Sequence, residues 1–304
     1  MTLSEWSYAA MVTAAVAYLV AFALHALEWS GARGLAAVRP EDGSEDAARI
    51  KVDFRGRLGV AATVLGAVLH VGAVVLRGVA AQRAPWGNMY EFVTAAFAFA
   101  IVLYLVCVWR FGMRWLGLGM TLLATLGLGL AVTEFYVEVA PLVPALHSVW
   151  FIIHIIAACI SGAAFNVGAV AAALYLIRDR AEARAAARGD GALTGYIAKL
   201  PSAAGLDLLS YRLHAFGVPL WTFTIVAGSI WAQYAWGRFW NWDPKETWSL
   251  ITWLVYVAYL HARATAGWRG RPVAWIALLG LVAFWFNFIG VNLLFSGLHS
   301  YSGI

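Results

Sequence analysis

The chain has 304 residues, of which 62% are hydrophobic and only 12% are charged, and its formal net charge is +5. This composition lies well outside the range of soluble domains and is typical of a polytopic membrane protein. It also speaks against nucleic-acid binding, because the positive charges are spread over several loops and no stretch forms a basic arm.

The two cysteines, Cys107 and Cys159, stand apart from each other in apolar stretches. The sequence contains neither Cys-x-x-Cys nor Cys-x-x-Cys-His, so the chain is neither a thiol oxidoreductase nor itself a c-type cytochrome. Both cysteines are expected to be small packing residues. A glycine-rich nucleotide-binding motif is also absent, so we do not expect the chain to use ATP.

Apolar stretches long enough to cross a membrane occur along the whole chain. Eight are predicted, at 6–28, 58–81, 89–109, 115–136, 148–177, 213–235, 249–266 and 273–295. The seventh is short, and its start is expected at the membrane interface. The sequence therefore predicts an all-α, polytopic integral membrane protein with about eight transmembrane helices, in which residues 1–304 form a single membrane domain.

Lysine and arginine are concentrated in alternate loops. The 29–57 and 178–212 loops carry six each, the 263–271 loop three and the turn at 110–114 two, which is 17 of the 21 basic residues. Because cytoplasmic loops are enriched in these residues, 29–57 and 178–212 are predicted to be cytoplasmic. The same rule predicts that the N- and C-termini and residues 236–248 are extracytoplasmic.

The segment 236–248, which we call the tryptophan-rich segment, reads WGRFWNWDPKETW. Its four tryptophans stand among four charged residues, which are too costly to lie so close together within a membrane. One interpretation is the usual enrichment of tryptophan at membrane interfaces. A helix start is also indicated, with Asp243 as N-cap, Pro244 at the first position and Glu246 completing a capping box. We expect that helix start, but interfacial enrichment alone accounts poorly for four tryptophans.

Seven histidines are candidates for function, since ionisable groups within a membrane are often functional, although a lone one more often serves packing. They are His25, His70, His147, His154, His214, His261 and His299. The predicted topology puts His147, His154 and His299 on or near the side of the tryptophan-rich segment. Neutral imidazoles bind haem iron axially, and aromatic rings stack on a porphyrin. The sequence offers His154 and His299 as such a pair, with His147 as the competitor of His154.

Three stretches carry a family resemblance: the tryptophan-rich segment, its continuation SLITWLVYVAYLHAR and the C-terminal GVNLLFSGLHSY. The first resembles the WWD signature of haem-handling proteins, and together they resemble the CcsA (ResC) family. The resemblance is strongest from about Leu142 to the C-terminus. It implies a membrane component of the system II cytochrome c synthetase, in the bacterial plasma membrane, with its haem site on the extracytoplasmic face.

The resemblance also implies roles for particular residues. A Ser-x-Trp-x-x-x-His pattern of the family is matched by Ser148, Trp150 and His154, and its second external haem ligand is matched by His299. His261 matches the transmembrane histidine of the family, which makes it a third expected axial ligand of haem iron. The other expected haem-binding residues are Trp236, Trp240, Trp242, Asp243, Trp248, Arg238 and Lys245.

Arg238 and Lys245 have two interpretations. Either they pair with haem propionates, since such pairs are strong at a low-dielectric boundary, or they face headgroups and water.

His70 and His214 are expected to serve packing, and the role of His25 is open.

As the resemblance implies, haem b would be moved across the membrane and presented for thioether attachment to the Cys-x-x-Cys-His sequence of an apocytochrome c. The activity would belong to a holocytochrome-c synthase (haem lyase) complex. The implied partners are a ResB-type (CcsB-type) membrane protein, the apocytochrome, membrane lipid and a separate thioredoxin-like thiol-reducing system. Two alternatives are a haem exporter or delivery protein without ligase activity, and a subunit that binds haem b permanently for electron transfer.

Overall fold

The structure is a computed structural model that describes residues 1–35, 44–189 and 193–299. Parts of the predicted 29–57 and 178–212 loops and the end of the chain lie outside this description. Within the described residues all regular structure is helical, which confirms the predicted all-α class.

Six of the eight helices are longer than the apolar stretches that predicted them, and those at 115–136 and 273–295 are shorter. In chain order the helices are α1 (Leu3–Leu35), α2 (Ser44–Ala81), α3 (Met89–Phe111), α4 (Gly117–Thr133), α5 (Val149–Arg188), α6 (Gly195–Lys199), α7 (Ala203–Trp236), α8 (Pro244–Ala264), α9 (Arg271–Trp285) and α10 (Val291–Leu294). Short 3₁₀-helices occur at Arg114–Leu116 and Pro144–Leu146, and a π-helix, Phe286–Gly290, joins α9 to α10. The extension of α5 to Arg188 is rich in alanine, arginine and glutamate, which are strong helix formers.

The four basic regions meet at one end of the helix bundle, which we call the basic end. Three contacts join elements there: Arg114 with Asp53 (2.7 Å), Arg263 with Asp207 (2.6 Å), and the rings of Trp29 and Tyr196 (centroids 4.4 Å apart). The opposite end carries the tryptophan-rich segment, and we call it the tryptophan end. The alternation of loops that the basic residues predict is therefore present in the structure, while the orientation of the two ends relative to a membrane stays a prediction.

Among the described residues, seven helices are long and apolar enough to cross a membrane. The eighth predicted span, at 249–266, forms α8 but is not among the seven. Tryptophan, tyrosine, serine and threonine lower its mean hydropathy. α8 nevertheless runs from the tryptophan end to the basic end, because its first turn contacts the π-helix through Lys245 and its last turn pairs with the start of α7 through Arg263.

The bundle is organised around two helix pairs, α1 with α2 and α5 with α7. α3 and α4 connect the first pair to α5, and α8 and α9 pack against the second pair. The core between them includes Tyr104, Leu128, Val167 and Tyr259, all of which are buried.

A buried ionic cluster fixes the loops of the tryptophan end. Glu91, in the first turn of α3, accepts from Arg77 Nε at 2.9 Å and from Arg83 Nη1 at 2.7 Å. The N–H of Gly87 donates to the same carboxylate at 2.7 Å. Arg77 also donates to the carbonyl oxygen of Val137 at 2.7 Å. The cluster therefore ties the α2–α3 loop and the α4–α5 connection to the helices beside the site described next.

Candidate functional site

The tryptophan-rich segment ends α7 and begins α8. Gly237 terminates α7 with a φ of 73°, in the left-handed region that favours glycine. Asp243 caps α8 by accepting from the N–H of Lys245, and Glu246 accepts from the N–H of Asp243 at 3.1 Å. Pro244 occupies the first turn of the helix. The capping box predicted from the sequence is confirmed.

Asp243 also binds the C-terminal part of the chain. Its Oδ1 accepts from His299 Nδ1–H at 2.9 Å, and its Oδ2 accepts from the N–H of Leu298 at 2.8 Å. A Cβ at Gly297 would lie 2.4 Å from Oδ2, so this close approach requires glycine. Burial raises the pKa of the Asp243 carboxyl, but hydrogen bonds from His299 and from the N–H groups of Lys245 and Leu298 lower it to about 2.

A cavity lies beside this segment, between α3, α5, α7, α8 and the π-helix. It contains about 1130 Å³ of space, counting the part that is open to solvent. Its walls are mainly aliphatic and aromatic, with a few polar side chains. Those with a nitrogen, oxygen or sulfur atom are Met89, His154, Cys159, Thr224, Ser229, Lys245, Glu246, Ser249, Asn287, Asn292 and His299, together with the indoles of Trp221, Trp231 and Trp240. An apolar cavity with a few placed polar groups is typical of a site for a large organic ligand.

The structure brings the predicted pair, His154 and His299, to this one cavity. His154 lies near the start of α5, and its Nδ1–H donates to the carbonyl oxygen of Thr224 in α7 at 2.8 Å. A Cβ at Gly228 would lie 2.8 Å from that nitrogen, so glycine makes room for the ring. His299 donates from Nδ1 to Asp243. In a neutral imidazole, an oxygen acceptor beside Nδ1 favours the proton on Nδ1 and therefore the lone pair on Nε2.

Trp231, in α7, lies between the two histidines. Its ring centroid is 5.8 Å from that of His154 and 5.5 Å from that of His299. Its indole N–H donates to the carbonyl oxygen of Ala145 at 2.7 Å. Trp236 contacts both Trp231 (5.0 Å) and His299 (4.9 Å). The two tryptophans and the two histidines therefore form one aromatic cluster.

The other three predicted tryptophans differ in position. Trp240 lines the cavity. Trp248 packs against Phe286 of the π-helix, with ring centroids 4.2 Å apart. Trp242 is 67% exposed and stands perpendicular to the ring of Trp240. Trp242 is thus directed away from the cavity.

The two predicted cations also differ. Arg238 donates to Glu246 at 3.1 Å and lies over the ring of Trp236, 5.7 Å from its centroid. Lys245 lines the cavity, and its Nζ donates to the carbonyl oxygens of Asn287 and Phe288. Of the two cations, only Lys245 is directed inward.

His261 lies in the last turn of α8, at the basic end. It is exposed, and its Nδ1 is 3.3 Å from the hydroxyl of Thr265. The structure therefore does not bring His261 together with His154 and His299.

The remaining histidines lie outside the cavity wall. His147 is exposed at the end of the second 3₁₀-helix. His70 is buried with Nδ1 bonded to the Tyr18 hydroxyl and Nε2 bonded to the carbonyl oxygen of Thr94. His25 and His214 are buried near the basic end, each with Nδ1 hydrogen-bonded, to Glu28 and to Ser210 respectively.

Sequence reasoning missed Trp231 and Asn287, which both line the cavity. A signal was available for each. A tryptophan within an apolar helix needs an acceptor for its N–H, and here Ala145 supplies one. A side-chain amide within a membrane span is costly unless it is bonded or functional.

Comparison with known proteins identifies the family. The Cytochrome C assembly protein family matches residues 86–299. The cytochrome c biogenesis protein CcsA of Picosynechococcus sp. is 36% identical over 301 aligned residues, which cover 81% of this chain and 87% of that protein. CcsA of Guillardia theta is 44% identical over 173 aligned residues, which cover 54% of this chain and 58% of that protein.

Among solved structures, Cytochrome c Heme Lyase CcmF aligns with a TM-score of 0.65 at 15% identity, over 95% of this chain and 47% of that chain. At this identity the likeness shows the fold alone, and this chain spans about half of that protein. Fold and family together define a multi-pass membrane protein of cytochrome c assembly. The chain belongs to the CcsA family, which confirms the resemblance found in its sequence and gives it a role in cytochrome c maturation.

Proposed function

We propose that the cavity holds haem b as cargo, with His154 and His299 as the axial ligands of its iron. One observation carries the proposal: two histidines from distant parts of the chain line one aromatic cavity, each with Nδ1–H bonded to an oxygen acceptor. Histidines that bind metals are usually held in this way, by a carbonyl or carboxylate on the second nitrogen. The aromatic walls suit the face of a porphyrin.

The proposed route of the haem runs from the basic end to the tryptophan end, across the bacterial plasma membrane, with the cavity on the extracytoplasmic face. His261 is the proposed iron ligand of an earlier position. Because His261 is exposed on α8, a second ligand there would come from another chain, and a ResB-type (CcsB-type) membrane protein is the proposed partner.

Thioether attachment is the proposed outcome. A cysteine thiol of the apocytochrome Cys-x-x-Cys-His sequence adds across a haem vinyl group, so that a sulfur–carbon bond forms and the thiol proton moves to the other vinyl carbon. This addition consumes no oxidant or reductant. The chain contributes orientation, with His154 and His299 holding the iron and Trp231 and Trp240 beside the ring. The apocytochrome histidine then replaces one of the two ligands.

The apocytochrome must arrive with reduced thiols. Cys107 and Cys159 are both buried and lie in different helices, so they are poorly placed to exchange disulfides with another protein. A separate thioredoxin-like system is therefore the proposed source of reducing equivalents.

The first test is haem content and absorption spectrum of the purified chain with His154→Ala, His299→Ala or His261→Ala. We expect either of the first two substitutions to abolish the bis-imidazole spectrum and added imidazole to restore it. His147→Ala is the matched control, because it removes an exposed histidine from the same end of the bundle. Unchanged haem binding in the His154 and His299 variants would show that the cavity histidines are not the ligands.

A second test distinguishes synthesis from the alternatives. The chain and a ResB-type partner are supplied with haem and a reduced apocytochrome, and covalent haem is measured on the product. We expect thioether product to form. Haem transfer without a covalent bond would indicate an exporter, and haem that never leaves the chain would indicate an electron-transfer subunit.

A further inference from the structure

The helix that ends at the cavity is irregular at one place. Between α9 and α10 the chain forms a π-helix, Phe286–Gly290. Short π-helical insertions are rare, disturb the regular hydrogen bonds and occur frequently at functional sites. Asn287 and Phe288, both within the insertion, line the cavity.

Lys245 stabilises this insertion from α8. Its Nζ donates to the carbonyl oxygen of Asn287 at 2.9 Å and to that of Phe288 at 3.1 Å. An ammonium group has three protons, so these two bonds leave one for another acceptor. Because Lys245 lines the cavity, that acceptor can belong to a ligand.

The side chain of Asn287 is 5% exposed. Among the described residues its Oδ1 has no hydrogen-bond partner. A buried amide oxygen without a partner is destabilising, and each such group in a native structure calls for an explanation. Its position on the cavity wall indicates that a ligand supplies the partner.

We infer that Lys245 and Asn287 form a subsite for a carboxyl group of the cargo, which is a propionate if the cargo is haem. A carboxylate accepts from the remaining Lys245 proton and from the NH₂ group of Asn287, which a half-turn of the amide brings to the place of Oδ1. Arg238 is bonded to Glu246 and is not among the residues that line the cavity. The subsite rests on the proposed function. It adds the two residues that fix how the porphyrin is rotated about the axis through its iron.

The test compares two probes on the full purified chain: haem, which has two propionates, and its dimethyl ester, which has none. We expect the wild-type chain to bind haem about tenfold more tightly than the ester, the effect of one hydrogen bond to a charged group. Asn287→Leu should remove most of this difference by weakening haem binding alone. Asn287→Asp should weaken haem binding further, because it sets two negative charges against each other. Both variants should keep the bis-imidazole spectrum.

Asn292→Leu is the matched control. Asn292 lines the same cavity, but its amide already donates to the carbonyl oxygen of Phe288 at 2.7 Å. Its substitution should change the affinity for both probes equally. Equal affinity of the wild-type chain for haem and ester would overturn the subsite, and so would equal losses for both probes in Asn287→Leu. A wild-type chain that binds neither probe would instead overturn the proposed function itself.

Discussion

Two histidines, the buried His70 and the partly buried His154, are embedded in the bundle in opposite ways. His70, between α1 and α3, has both ring nitrogens bonded within the protein, to the hydroxyl of Tyr18 and the carbonyl oxygen of Thr94. His154, between α5 and α7, has its Nδ1 bonded to Thr224 and lies on the wall of a cavity. The same residue type thus joins helices in one region and faces a ligand site in the other.

The difference leads to opposite expectations for the two regions. Polar groups around α1–α3 serve the fold, so their removal should lower stability and leave haem affinity unchanged in whatever protein remains folded. Polar groups around the cavity serve the ligand, so their removal should lower haem affinity even where it also costs some stability. Each of the following predictions tests one side of this comparison.

The largest effect is expected at Glu91. Glu91→Gln removes the charge that compensates Arg77 and Arg83, and leaving charges buried without their partner costs about 3–5 kcal/mol. Thermal unfolding in detergent should show the loss. Glu138→Gln, which changes an exposed carboxylate at the same end, is the control and should unfold like the wild type. A Glu91→Gln chain of unchanged stability would show that the cluster does not hold the loops.

Much of this fold can be predicted from sequence alone. Hydropathy predicts the helical spans, and the basic residues predict which loops lie at the same end. Both properties reflect the solvent around a segment rather than the residues that it contacts. The start of α8 is equally local, since Asp243, Pro244 and Glu246 stand within four residues of one another. The pair His154 and His299 could be proposed because the predicted topology puts both on the same side of the membrane as the tryptophan-rich segment.

The rest depends on contacts between distant parts of the chain. The Tyr18 partner of His70 is 52 residues away, and the hydrogen bond from Lys245 to the π-helix spans 42 residues. The carbonyl oxygens of this π-helix accept from Lys245 of another helix, which is a contact that no local pattern indicates. The exposure of Trp242 beside three tryptophans that are partly covered has the same origin, since spacing does not reveal which rings pack against other parts of the chain.

The next largest effect is expected at Asp243. Asparagine caps helices as well as aspartate, so Asp243→Asn should keep α8 stable. The amide oxygen that keeps the cap also faces His299, but the amide NH₂ then faces the N–H of Leu298, so Leu298 loses its acceptor and His299 loses its charged partner. Loss of such a partner typically costs 10–100-fold, roughly, in affinity for the metal. Haem titration should show that loss, and an unchanged affinity would show that Asp243 does not contribute to haem binding.

The pH dependence of the stability that Asp243 contributes provides a second test at this residue. Its folded pKa of about 2 lies below its ordinary value of 3.8, so the ionised carboxylate stabilises the folded chain fully above that ordinary value. The contribution is lost as the pH falls from about 4 toward 2. The difference in stability between the wild type and Asp243→Asn should therefore shrink over this interval. A constant difference would mean that the charge of Asp243 is not what stabilises the contact.

The smallest effect is expected at His70, on the other side of the comparison. His70→Phe leaves the Tyr18 hydroxyl without its partner, at a cost of about 1–3 kcal/mol in stability. Adding Tyr18→Phe should recover part of that loss, because removing both members of a buried hydrogen bond is cheaper than removing one. Haem content per folded chain should stay at the wild-type level in both variants. If His70→Phe instead lost haem without a change in stability, a histidine with both ring nitrogens bonded would be contributing to haem binding. Internal hydrogen bonds would then not distinguish structural histidines from those at the ligand site.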